Sequence, residues 1–97
     1  MTTLRIEHAI SDYDLWKSAF DRLVERRHQA GVRRAAIRRP IDDPDYLMLD
    51  LEFDTPAAAS KFAAFLEQRV WTSATAAPAL AGVPRTRILD LLATEPD

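Results

Sequence analysis

Two-residue alternation and helical stripes succeed one another along this chain. Between Thr3 and Ala9, Leu4, Ile6 and His8 fall on one face and Arg5 and Glu7 on the other, the pattern of a half-buried strand. Ser11 or Asp12 can then cap a helix, and Asp12 and Asp14 bring negative charge to its first turn, where the macrodipole favours it. Trp16, Ala19, Phe20, Leu23 and Val24 recur at steps of three and four, which predicts one helix to about Ala30. Gly31 can take the left-handed conformation that commonly closes a helix. From Val32 to Arg39 the alternation is weaker, with Ala35 and Ile37 set against Arg34, Ala36 and Arg38; so many cations suit a sheet edge.

Pro40 to Pro44 is built of turn residues. The clearest strand follows at Tyr46–Phe53: Leu47, Leu49, Leu51 and Phe53 make one face, Tyr46, Met48, Asp50 and Glu52 the other, and it is predicted to be central. Thr55 caps and Pro56 begins a second helix, expected to reach Val70, with a stripe of Ala58, Phe62, Phe65, Leu66 and Arg69. The signals from Trp71 to Ala81 are mixed: Thr72 or Ser73 can cap a short turn, whereas Pro78 interrupts anything longer. Gly82-Val83-Pro84 reads as a loop, Arg85–Leu92 as a last strand, and the residues after it as a frayed tail.

Strand, helix, strand, strand, helix, strand is the split βαβ order of a ferredoxin-like α+β fold. Right-handed crossovers put both helices on one face of a four-stranded antiparallel sheet, so the leucine face of Tyr46–Phe53 meets the Trp16/Phe20 and Phe62/Phe65 stripes. A chain of 97 residues is read as one domain, 1–97, with one modest core.

Composition narrows the chemistry. With 47% hydrophobic and 29% charged residues the chain is globular, and without cysteine it has no disulfide, thiolate metal site or cysteine nucleophile. No basic leader runs into an apolar stretch and no apolar run approaches membrane-spanning length, so a cytoplasmic location away from membranes is expected. The net charge of −2 is near neutral. Arg33, Arg34, Arg38 and Arg39 form a local cluster, but Asp42, Asp43 and Asp45 follow at once and no aromatic residue is interleaved to stack bases, which argues against nucleic acid. Two glycines cannot build a phosphate loop, no nucleophile elbow is present, and His8 and His28 lack companions at metal-motif spacing; neither cofactor nor metal is expected.

Two polar residues resist assignment to the core. His8 ends a strand and is the kind of side chain that titrates near neutrality; its plain reading is a bond to nearby backbone. Arg27 lies on the apolar stripe one turn beyond Leu23, and a buried cation needs a partner unless its head reaches solvent.

The run His8-x-x-x-Asp12-Tyr13-Asp14-x-Trp16-Lys17-x-x-Phe20-Asp21, then Gly31, Asp43-Pro44, Glu52-Phe53 and an alanine-rich helix containing Phe62, resembles small bacterial proteins of the dimeric α/β-barrel superfamily, of the antibiotic biosynthesis monooxygenase type. The resemblance implies a homodimer whose sheets pack face to face through Arg5, Glu7, Arg38, Tyr46, Met48, Asp50 and Glu52, where composition alone favours a solvated face. It further implies a pocket between helices and sheet for a small apolar or aromatic molecule; here Trp16, Phe20, Phe53, Phe62, Phe65 and Trp71 are placed to wall it, with His8 and Arg27 as its polar members, neither at a motif position of a known catalytic residue. A cofactor-independent monooxygenase or cyclase acting on a polyketide-like phenol is the activity such a site suggests, with His8 taking the proton and Arg27 holding the oxyanion. Haem degradation is not implied, because the asparagine that branch uses has no counterpart in a chain without asparagine. The alternative is a non-enzymatic ligand-binding or stress-related protein with a closed core. A cavity of roughly 300 Å³ bordered by both His8 and Arg27 separates the two readings.

Overall fold

The computed structural model describes residues 1–97. Its elements are β1 (Thr2–Ile10), α1 (Tyr13–Arg22), α2 (Val24–Ala30), β2 (Arg34–Arg38), β3 (Tyr46–Phe53), α3 (Pro56–Phe65) continued by a π-helical turn (Leu66–Val70), and β4 (Leu80–Asp90). The strands form one antiparallel sheet in the order β2-β3-β1-β4, the ferredoxin-like arrangement expected from the element order. β3 lies inside the sheet, and every second residue of β1 and β3 is buried, as the alternation predicts. Leu4, Ile6, Leu51 and Phe53 meet Ala59, Phe62, Ala63 and Leu66 in the main core.

Local capping follows the sequence closely. The Asp12 carboxylate accepts the Leu15 amide at 2.8 Å and the Thr55 hydroxyl accepts that of Ala58 at 3.2 Å, each satisfying a helix-end donor. Gly31 closes α2 with φ 95°, a left-handed conformation that costs glycine nothing.

Four backbone irregularities depart from the expected elements. The first helix is not continuous to Ala30 but breaks at Leu23 (φ −99°, ψ 12°), whose amide reaches back only to Phe20 O at 3.1 Å. The break turns Val24 outward, so it leaves the apolar stripe and is 40% exposed. The second helix ends in a π turn, shown by the Trp71 amide on Leu66 O at 2.8 Å, and the widened turn swings Arg69 to the surface while Val70 is buried. Its buried stripe therefore runs through Ala59, Phe62, Ala63, Leu66 and Val70. Between Val70 and β4 the chain forms a strap of turns, in which Ser73 Oγ caps Ala76 N at 3.1 Å. Finally, Gly82-Val83-Pro84 is a bulge inside β4: the strand starts at Leu80, and its pairing with β1 slips between Glu7/Arg85 and Ala9/Ala81. Gly82, at φ 77°, makes that kink possible. A loop signal and a bulge use the same residues, and only pairing with β1 distinguishes them.

Candidate functional site

Three of these irregularities, the helix break, the π turn and the strap, line one apolar pocket, and the bulge lies opposite His8 on its wall. Its walls are Trp16, Ala19, Phe20 and Leu23 from the first helical segment and the break, Leu66, Val70 and Trp71 from the π turn, Ala76 to Ala79 from the strap, and Ile6, His8, Leu49 and Leu80 from the sheet. The cavity measures about 60 Å³. That is room for a few waters or a small ring fragment, well under the ~300–1,000 Å³ of typical ligand sites.

His8 is the titratable residue of the lining. It sits opposite Leu47 of β3, and the β4 bulge leaves it without a partner on the other side. Its ring is buried, 5% exposed, and Nδ1 faces the Ala9 carbonyl at 2.9 Å. A carbonyl only accepts, so the neutral tautomer assigned to this ring carries its hydrogen on Nδ1. No buried side-chain nitrogen or oxygen of the chain lacks a hydrogen-bond partner, so Nε2, which has no protein partner, is not sealed within the core. Burial lowers the His8 pKa from its ordinary 6.5, opposed by the bond to Ala9. The pocket wall therefore includes a neutral imidazole whose Nε2 lone pair has no donor from the protein.

Stability should report this proton. A histidine held neutral by burial resists protonation when folded but not when unfolded, so its contribution is complete above 6.5 and is lost as pH falls from there toward the folded-state pKa. The midpoint of thermal unfolding is expected to drop between pH 7.5 and 5.5, and His8→Gln to flatten the drop; equal slopes for both proteins would contradict it. Asp54, whose carboxyl is lowered from 3.8 by the Arg33 hydrogen bond and charge, loses its contribution only in the more acidic range.

Arg27 does not border this cavity. It is 8% exposed, Nη1 donates to the Phe20 carbonyl, and the guanidinium lies 3.5 Å from the centre of the Phe20 ring. The break at Leu23 presents that carbonyl to it, so the partner a buried cation needs is backbone and an aromatic face. Desolvation lowers its pKa, against the pull of Asp21, yet an arginine keeps its charge. The expectation that His8 and Arg27 frame one cavity of roughly 300 Å³ is thus not met in either size or membership.

Of the aromatic residues expected to wall a pocket, Trp16, Phe20 and Trp71 do so, Trp16 and Phe20 stacked at 4.9 Å. Phe53 and Phe62 belong to the closed core, and Phe65 lies toward a surface groove beneath Arg26. Sequence reasoning missed the strap's part in the wall, Ala76 to Ala79; Pro78 and the cap signal at Ser73 were its only local marks.

On the sheet face away from the helices, Arg5 clasps Asp50 with two bonds of 2.9 Å, Arg38 reaches the same carboxylate at 3.4 Å, and Tyr46 donates to Glu7 at 3.0 Å. The Glu52 carboxylate lies 4.0 Å from Arg34, and Met48 is half-buried. The residues expected at a dimer interface therefore do share one face of the sheet. No group of side chains is arranged to hold a metal ion, and no helix is long and apolar enough to cross a membrane.

No family model and no curated protein matches the chain. Solved structures do. An antibiotic biosynthesis monooxygenase superposes with a TM-score of 0.62 at 15% identity over 93% of this chain and 97% of that one. A dimeric ferredoxin-like protein from an uncultured marine organism gives 0.68 at 11% identity over the full length of both chains. A candidate antibiotic biosynthesis monooxygenase from Nitrosomonas europaea gives 0.58 at 19% identity over 96% of this chain and all of the other. At these identities the likeness is one of fold.

Proposed function

We propose that this chain, which has the fold of the antibiotic biosynthesis monooxygenase-like, ferredoxin-like superfamily, is a cytoplasmic homodimeric protein that binds a small, mostly apolar molecule carrying one hydrogen-bond donor, such as a phenol or enol. The observation that carries this reading is the pocket itself: thirteen of its fifteen lining residues are hydrophobic, and the His8 lone pair is an acceptor with no protein donor. A ligand hydroxyl supplies that donor, while the Trp16, Phe20 and Trp71 rings suit an aromatic body. Carboxylate ligands are disfavoured, since no cation lines the cavity. Self-association is supported by the dimeric description of a protein with the same fold and by the half-buried Met48 and Asp50 on the outer sheet face.

A neutral imidazole beside a bound phenol is also a base for its proton, the opening step of cofactor-independent oxygenation or cyclisation. Arg27 is engaged elsewhere and cannot hold the phenolate, so the pocket supports binding more strongly than turnover. The second reading, a non-enzymatic protein with a closed core, draws on the 60 Å³ volume, which admits a bicyclic ligand only if the strap moves.

Trp16 and Trp71 provide the assay, because both line the cavity. Titration with phenol and 1-naphthol is expected to give a saturable change in tryptophan fluorescence. His8→Phe should weaken naphthol about three- to tenfold, the equivalent of one neutral hydrogen bond, and leave naphthalene unaffected. Absence of saturation, or equal naphthol affinity in both proteins, would overturn the proposal; oxygen consumption by the liganded protein then tests turnover.

A further inference from the structure

The outer sheet face carries more arginines than carboxylates, and the excess lies on one side. Asp50 is shared by Arg5 and Arg38, and Glu52 faces Arg34 across the β2–β3 pair. Across the β1–β4 pair, Arg85 stands opposite Glu7 and Arg87 opposite Arg5. Glu7 accepts the Tyr46 hydroxyl, and neither Arg85 nor Arg87 has a carboxylate oxygen within 4 Å. These groups border a hollow of about 380 Å³, in which Arg5 is already paired with Asp50 and Arg85 and Arg87 are the two guanidinium groups without a carboxylate partner.

We propose that this hollow binds an oxyanion, a sulfate, phosphate or polycarboxylate group held by Arg85 and Arg87, and that anion binding is linked to self-association through the same face. The guanidinium fork matches the paired oxygens of such groups, and two neighbouring forks favour a polyvalent anion over chloride. Pairing of two copies through this face doubles the excess positive charge while removing water that screens it. An anion in each hollow offsets that repulsion, so it binds the dimer more tightly than the monomer and shifts the equilibrium by mass action. This step rests on the reading that two sheet faces meet; the phenol pocket, on the helical side of the sheet, is independent of it.

The test is sedimentation of the full chain in sodium sulfate and in sodium chloride at matched ionic strength, which holds general screening constant. The dimer dissociation constant is expected to be on the order of tenfold lower in sulfate, given two linked sites. Arg87→Gln changes an exposed side chain and should leave the fold intact. It is expected to dimerise at least as well as the parent in chloride and to lose most of the sulfate response. Equal constants in the two salts for the parent, or an undiminished response in Arg87→Gln, would overturn the linkage. Should the chain sediment as a monomer throughout, the dimer reading fails, and sulfate titration followed by the NMR resonances of the Arg85 and Arg87 Nε–H groups decides the site: saturable shifts uphold it and flat ones remove it. Repeating the titration with citrate distinguishes an inorganic anion from a polycarboxylate.

Discussion

Phe53→Ala is expected to lower the free energy of unfolding by about 3–5 kcal/mol, the range for truncating a fully buried phenylalanine. The ring is 0% exposed, at the end of the central leucine face, 5.9 Å from Phe62, and packed in the cluster that joins sheet to α3. Sheet and helix hold their spacing through many other contacts, so the space cannot close fully and most of the cavity penalty remains. A domain of this length has about 5–15 kcal/mol in total, so the variant retains only a fraction of the parent's stability. Urea unfolding should show a lower midpoint at an unchanged slope. A loss below about 1 kcal/mol would mean that Phe53 borders adaptable space, as a pocket wall does, instead of closed core.

Arg27 should respond differently to two substitutions. Arg27→Ala is expected to cost about 2 kcal/mol: it removes a charge-assisted bond to the Phe20 carbonyl and a cation stacked on the Phe20 ring, and leaves a void under the helix break. The arginine also carries a desolvation penalty, which its loss relieves and which limits the net effect. Arg27→Met keeps the unbranched stem without the charge, so most of the loss should be recovered, to within about 1 kcal/mol of the parent. Naphthol affinity should be unaltered in Arg27→Met. If instead stability is unchanged and ligand affinity falls in both variants, Arg27 acts on the ligand and the cavity opens to it in solution.

How far these residues could be understood beforehand differs for each. His8 was legible as a polar residue on the buried face of a strand, because alternation alone assigns its direction, and the structure puts it on the pocket wall. Its importance there depends on the β4 bulge and the strap, which come from residues about 65 to 75 positions away in sequence and leave no periodic signal near it. Arg27 was legible as an anomaly on an apolar stripe. Its partner was not, since a backbone carbonyl becomes available only where the helix breaks, and nothing in the composition of Phe20 to Val24 marks that break. Phe53, Phe62 and Phe65 were grouped with the pocket because all aromatic stripes pointing at one sheet face look alike in one dimension. Depth within that layer separates core from pocket.

Hydrophobic periodicity, caps and turn residues determined the four strands, the helical segments and their order, because these are local consequences of backbone geometry and of which face must leave water. They also assigned Arg5, Glu7, Tyr46, Met48, Asp50 and Glu52 to one face of the sheet, because side chains alternate across each strand. The tertiary structure alone decided the helix break, the π turn, the bulge and the strap. Each exchanges a regular hydrogen bond for packing against a distant segment, and such exchanges depend on contacts between residues far apart in the chain. The first, second and fourth of these bound the pocket and the bulge frees His8 of a β4 partner, so the site was fixed by packing even where the fold was fixed by pattern.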